Sequence, residues 1–417
     1  MSKSANFWHR VMLWLIAAYG MGLCACNKGL PGIALPDNAF QFPTGIAIHQ
    51  DGFALVASSN FDMTYESGSL RVIDLNQLAG RLEPNGYNVT EDGKYYSDLI
   101  LDDLTVSIGN FAGRMTISSD NTLAAMTIRE TNQLVLVDLN VDTTGASPVL
   151  NLDCFDSKPK DNGTFPFCSG DQHVVKLDKN ELQFDPFDVV LVDQNAYVSC
   201  LRSNKVSIVN IPTLKVETTK DTDINGTDID EVGFVDIAFS KKNNSIYLSS
   251  SGSKTTTTLT NNIFYFTPPD TTLVKDELYS LLVGTESRGL DFNEDGSELA
   301  VIVLNPNMLV FFDMLNNNAY LGSVALGQNP SLVRQHNNQF FVTYAQEDTV
   351  DIIDGRTKRL VQVKKDICKG PFDIGFFERE QWALFTCFED QKVAVVDVNP
   401  SSERYLTVIA KVGQADK

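Results

Sequence analysis

The chain has 417 residues, with 53 acidic side chains against 33 basic ones and a net charge of −20. That imbalance disfavours nucleic acid and anionic lipid surfaces as partners. Length alone would suggest two or three domains, unless an internal repeat organises the chain as one.

Residues 1–25 read as a segment outside the fold. Lys3 and Arg10 form a positive region ahead of an apolar run, Val11–Leu23, that is shorter than the ~20 residues of a membrane span. Leu23-Cys24-Ala25-Cys26 follows. This stretch resembles a bacterial lipoprotein signal peptide, with Leu at −3, a small residue at −1 and Cys26 as the lipidated residue. Cys24 at −2 departs mildly from the usual pattern. An ordinary secretory signal or an uncleaved anchor is the competing interpretation. The resemblance implies attachment to a membrane of the cell envelope through lipid, and Asn27 at +2, in place of Asp, points to the outer membrane. Residues 26–41 are then a linker from the anchor, and residues 42–417 the folded domain.

From Phe42 onward one sentence recurs seven times. It consists of three short apolar runs rich in Val, Ile and Phe, separated by polar turns. The copies begin with FPTGIAIH at Phe42, AGRMTIS at Ala112, PFDVVLV at Pro186, FVDIAFS at Phe234, SRGLDFN at Ser287, NPSLVRQ at Asn329 and GPFDIGFF at Gly370. Short β-branched and aromatic runs bounded by turns are strands. A period of roughly 40–45 residues with four strands per unit is the mark of a propeller blade. The expected fold is therefore all-β, a seven-bladed β-propeller of four-stranded antiparallel blades. Fourth strands are expected at Leu104–Asn110 for the first repeat, at Leu321–Gly327 for the sixth and at Tyr405–Gly413 for the seventh. Residues 77–103, 151–185 and 252–262 are polar insertions, expected to be loops carrying specificity.

Cysteines are informative if the domain is exported. Cys154 and Cys168 bracket a polar Pro/Gly insertion and form the first expected disulfide. Cys368 and Cys387 lie at neighbouring ends of the first two strands of the seventh repeat and form the second. Cys200 is then left over, buried and free. No CxxC motif is present.

The residue before each first strand forms a column: Gly45, Arg114, Asp188, Asp236, Gly289, Leu332 and Asp373, with Arg288 one place earlier in the fifth repeat. First strands line a propeller's channel, so Arg114, Asp188, Asp236, Arg288 and Asp373 are candidate ligand-binding residues at one mouth. Arg129, Arg202, Asp348 and Asp390 are expected nearby on turns of the same face. Such a cluster suits a small polar ligand, or Ca²⁺ or Mg²⁺ held by carboxylate oxygens. The structural alternative is that each Asp bonds adjacent backbone N–H groups. A second column, Asp74, Asp138, Asn210, Asp313, Asp354 and Asp397, ends the third strands and reads as turn caps. No GxSxG, Walker A or GxGxxG motif occurs, and the four histidines have no metal-ligand spacing.

Strings such as AYVSCLRSNKVSIVNI and FVTYAQEDTVDIID resemble the YVTN-type β-propellers, whose repeats run Y-V-T-N, a turn, then V-x-V-I-D. The resemblance runs loosely through all seven repeats, with no intact YVTN tetrapeptide. It implies the fold, and relatives that are surface or periplasmic binding proteins, with a lactonase branch whose catalytic residues find no match here. The expected function is a membrane-anchored extracytoplasmic lipoprotein acting as a binding or protein-interaction scaffold, more binder than enzyme. It needs no resident cofactor and takes the membrane, another envelope protein or a small ligand as partner. An exported lactonase-like hydrolase using the channel carboxylates is the alternative.

Overall fold

The computed structural model describes residues 33–82, 95–155, 165–177, 185–203, 205–219, 233–251, 263–276, 286–316 and 318–414. Among these residues the strands form seven separate sheets, each built on four antiparallel strands, and together they make a seven-bladed β-propeller. The innermost strands are Pro43–His49, Ala112–Ile117, Pro186–Val192, Gly233–Ser240, Glu286–Phe292, Leu332–His336 and Pro371–Phe377. They start where the sevenfold sentence starts. Strands buried on both faces explain why the apolar runs are near-continuous rather than alternating. Phe53–Ser58 and Trp382–Cys387 are buried at every position.

The core is distributed between blades. Each apolar cluster joins the facing sides of neighbouring sheets, such as Val350, Ile352 and Phe341 of blade six with Ile374, Phe385 and Val396 of blade seven. Fully burying one such side chain contributes about 1.5–3 kcal/mol, so the ring is stabilised chiefly at these seams.

The seam between blades seven and one has a clasp. Residues Leu75–Leu82 of the first insertion form a helix, α1, in place of the expected loop. Leu75, Leu78 and Leu82 recur at helical spacing and bury on blade seven with Trp382, Val393 and Val395. Tyr95–Tyr96 then adds as a parallel fifth strand to Val408–Val412. The second insertion is likewise structural in part. It contains Val174–Lys176, the outermost strand of blade two, and Val149–Asp153, which extends that sheet. Phe167 bridges to Ser107 of blade one, and the Arg71 guanidinium lies 5.2 Å from the Phe165 ring. A three-residue strand was invisible among polar neighbours.

One strand assignment changes. Ala319–Ala325 is the outermost strand of blade five, not blade six, whose outermost strand is Arg359–Lys364. The latter is solvated along nearly its whole length, and its apolar residues Leu360, Val361 and Val363 are exposed. Within the stretch assigned to the linker, Phe40 is buried in the seam of blades one and seven, and Arg71 bonds the Pro36 carbonyl at 2.5 Å. Cys26 and residues 1–25 lie outside the described residues.

The cysteine pairing is as expected. Cys154 and Cys168 are bonded with Cα atoms 5.1 Å apart, and Cys368 and Cys387 with Cα atoms 5.7 Å apart. Cys200 is free and buried, and burial pushes its thiol up to about 12, where it is inert at neutral pH.

Candidate functional site

The charged column sits on a repeated irregularity. In six of the seven blades the pairing of the first two strands shifts register at the start of the innermost strand. Such bulges re-aim side chains. At Asp188, Asp236 and Asp373 the displaced backbone N–H donates to a hydroxyl on the facing second strand: Ser199 at 3.2 Å, Ser249 at 3.0 Å and Thr386 at 2.8 Å. The carboxylate is thereby turned towards the next blade.

There it is taken up by backbone. One oxygen of each Asp accepts from the following residue's N–H, that of Val189, Ile237 or Ile374. The second oxygen of Asp236 accepts from Leu290 N–H at 2.9 Å in blade five, and that of Asp373 from Ile46 N–H at 3.2 Å in blade one. Gly45, in the same column, lets the innermost strand of blade two approach closely, because a Cβ there would lie 2.9 Å from the Gly113 carbonyl oxygen. Asp291 repeats the pattern, accepting from Phe292 and Gln335 N–H groups, each at 2.8 Å. These carboxylates tie blade to blade.

Two arginines complete the cluster. Arg114, almost fully buried, donates through one nitrogen to Asp236 at 2.8 Å and to Asp188 at 3.1 Å. Its guanidinium lies 5.1 Å from the Phe187 ring. Arg334 approaches Asp236 at 3.5 Å and Asp188 at 3.9 Å while keeping 23% of its side chain exposed. The sequence column missed Arg334. Blade six lacks the register shift, so Leu332, the residue in the column, is buried in the seam with blade seven, and Arg334 two places on approaches the two carboxylates. Arg288 does not join. It is exposed, beside Glu286 at 3.5 Å. Arg129 lies on the opposite face, bonded to Asp185 at 2.6 and 3.1 Å, with Arg202 3.5 Å from the same carboxylate. Asp348 and Asp390 accept the N–H groups of Gly370 and Lys369.

Burial sets the protonation of the floor. Desolvation pushes Asp188 well above the usual carboxylate range, reinforced by neighbouring Asp236. For Asp236, burial is outweighed by Arg114 and then Arg334, which hold it at about 2. Asp291 is pushed up to about 6 by burial, and Asp373 is raised for the same reason. One ionised carboxylate thus sits between two guanidinium groups, with carboxyls of raised proton affinity around it.

A cavity of about 490 Å³ reaches this floor along the channel. Asp188, Asp291, Arg334 and Gln335 lie at its base, and Lys241 and Glu294 at its rim, on the turns between first and second strands. It therefore opens on the face opposite Arg129 and Arg202. Gln335 Nε2 is buried there without a hydrogen-bond partner among the described residues. Among the described residues no group of three or more His, Cys, Asp or Glu side chains is placed to hold a metal ion. Five of the six residues in the second column behave as turn caps: Asp74, Asn210, Asp313, Asp354 and Asp397 accept backbone N–H groups two or three residues on, whereas Asp138 lies within the strand Gln133–Asp142, which runs on past it.

The propeller fold is shared by solved structures of distant sequence. The chain is similar to the hydrazine synthase of Kuenenia stuttgartiensis, with a TM-score of 0.55 and 10% identity over 89% of this chain and 99% of that one. It is similar to the Cps50 (Swd1) β-propeller domain of Myceliophteria thermophila, with a TM-score of 0.58 and 9% identity over 88% of this chain and 100% of that one. The likeness establishes the fold. No family model and no curated protein matches the sequence.

Proposed function

We propose that this protein is a lipid-anchored envelope protein whose propeller is a binding or protein-interaction scaffold, with the channel cavity as its recognition site. The observation that carries the binding reading is the state of the floor. Every candidate carboxylate is committed to backbone N–H groups of its own or the next blade, so it fixes the ring rather than waiting for a substrate. Arg334, part-exposed, and the unpartnered Gln335 amide remain to orient an occupant with acceptor groups. The N-terminal resemblance to a lipoprotein signal, with Cys26 as lipid carrier, and two disulfides in one domain support an exported chain. The YVTN-type repeat resemblance supports a binding role of the same kind.

The test is site-specific photo-crosslinking of the anchored chain in its own envelope. A crosslinker replacing Glu294 at the rim is expected to give a discrete adduct that Arg334→Ala abolishes, while one replacing Tyr320 on the outside of blade five gives none. Equal labelling at both positions, or none at either, ends the scaffold reading. Asp291 favours a second reading, because a carboxyl titrating at about 6 in a cavity is the group a lactonase-like hydrolase needs as proton carrier. Lactone ring-opening by the purified chain that disappears in Asp291→Asn would select that alternative.

A further inference from the structure

The face opposite the cavity carries five phenylalanines in mutual contact. Phe61 lies 6.2 Å from Phe42, 5.9 Å from Phe111 and 5.5 Å from Phe388, and Phe372 stacks on Phe388 at 5.8 Å. Two of these rings are held at a backbone cost. Phe42 and Phe111 precede the innermost strands of blades one and two with φ of 54° and 55°. Blades three, six and seven place Asp185, Asn329 and Gly370 at that left-handed position, residue types that tolerate it. Outliers of this kind persist where the surroundings over-determine them and point to a use for the side chain.

The patch is also preorganised and exposed. Asn60, fully buried, bonds the Tyr65 carbonyl and the Asn110 side chain at 2.8 Å each and pins the loop that displays Phe61 and Met63. Phe61, Met63 and neighbouring Ile33 are 56%, 55% and 66% exposed.

The N-terminal segment joins the propeller here. Ile33 pairs alongside Tyr65, with its N–H on the Thr64 carbonyl and its carbonyl accepting Glu66 N–H. Cys26 lies seven residues earlier in sequence, a tether of at most about 25 Å when fully extended. Charge on this face suits a headgroup. Asp185 is neutralised by Arg129, Asp348 and Asp390 accept backbone N–H groups, Arg202 is 77% exposed, and the exposed carboxylates of Asp62 and Glu66 beside the patch suit the cationic group of a zwitterionic headgroup. The net charge of −20 opposes an anionic bilayer.

We infer that this aromatic face lies against a zwitterionic phospholipid bilayer, with Phe61, Met63 and Ile33 seated at its interface and the cavity turned away from it. The inference rests on the anchoring reading above. Exposed aromatic and aliphatic side chains beside a tether are the groups that partition into the headgroup region.

The experiment uses the anchored full chain in phosphatidylethanolamine–phosphatidylcholine vesicles. An environment-sensitive fluorophore is placed through Phe61→Cys or, on the opposite face, Leu315→Cys, and quenched by nitroxide lipids. Cys200 is buried and four cysteines are paired, so the introduced thiol takes the label. Quenching at position 61 is expected to exceed that at 315 by about twofold or more, since only groups at the interface meet the lipid-borne quencher. Met63→Asp, beside the label, is expected to reduce it while the protein still floats with the vesicles. Flotation with equal, weak quenching at both positions overturns the inference and leaves the anchor standing. A label shielded in native envelopes but not in vesicles assigns the face to a protein and also overturns it. Failure to float removes the anchoring reading itself.

Discussion

Replacing Arg114 with Met probes the channel floor most directly. Arg114 is one of two cations serving Asp188 and Asp236, and it is the closer one, at 2.8 and 3.1 Å against 3.5 and 3.9 Å for Arg334. Two elementary charges about 4 Å apart attract by roughly 4 kcal/mol at an effective dielectric of about 20. Removing the arginine also releases its own desolvation penalty, so the net loss falls near the roughly 3–5 kcal/mol typical of breaking a buried pair from one side. The pH dependence identifies the cause. In the wild type Asp236 is held at about 2, so its favourable contribution is present above the unfolded value and is lost only as pH falls through about 2. Without Arg114, burial dominates and raises that carboxyl, so its ionised form becomes destabilising as pH rises. The deficit of Arg114→Met should therefore be largest near pH 8 and shrink by ~1–3 kcal/mol towards pH 5, because each tenfold change in proton affinity corresponds to about 1.4 kcal/mol. Urea unfolding of the detergent-solubilised full chain, followed by circular dichroism and by fluorescence of buried Trp382, measures it. Adding Asp236→Asn should recover ~2 kcal/mol at pH 8, because the uncompensated charge is gone. A deficit under ~1 kcal/mol, or one that is flat between pH 5 and pH 8, would refute the reasoning.

Other consequences follow from the same contacts. The raised carboxyl of Asp291 stabilises the fold below the unfolded value near 3.8 and loses that contribution as pH rises through about 6. The wild type should thus weaken against Asp291→Asn by ~3 kcal/mol between pH 4 and pH 7, and a pH-independent difference in denaturation midpoint would contradict this. Leu78→Ala on α1 should cost about 2–5 kcal/mol and raise amide exchange selectively in Val408–Val412, since α1 packs on the last blade. Exchange that rises equally in all blades would mean α1 is no clasp. Replacing Cys368 and Cys387 together by Ser removes a link spanning 19 positions and should cost ~3 kcal/mol by urea unfolding under oxidising conditions, but nothing relative to wild type under reductant.

The fold was legible because burial on both faces forces strands into short apolar runs, and the turns between them must be polar. The same logic marks what was hidden. Arg359–Lys364 is an outer strand in water whose apolar residues Leu360, Val361 and Val363 are interrupted by Gln362 and flanked by charges, and the outer strand of blade five was assigned to its neighbour. Val174–Lys176 has three residues, too few to show a period. The helix Leu75–Leu82 did show one, in Leu75, Leu78 and Leu82, but a polar surround made it resemble a loop. At the site, Asp188, Asp236 and Arg114 converge as the column implied, and Arg288 turns outward. Arg334 and Asp291 stand two places inside the column and were missed. The readable signal was on the partner strand, where buried Ser199, Ser249 and Thr386 supply the hydroxyls a bulge requires.

That bulge links fold to function. A regular innermost strand would leave the Asp N–H in the ladder and its side chain in line with its neighbours. Shifting the register frees the N–H for a hydroxyl and turns the carboxylate to the next blade, so one local device both closes the ring and gathers charge at the channel floor. Blade six omits the device, and the inward position is taken by the part-exposed Arg334. The departure from the repeat is thus where the cavity acquires its cationic group. On the binding reading proposed above, recognition rests on the blade that breaks the pattern. The same holds on the other face, where Phe42 and Phe111 occupy a position that Asp185, Asn329 and Gly370 fill without strain. The two departures lie on opposite faces, as the proposed membrane contact on one and the proposed recognition site on the other require.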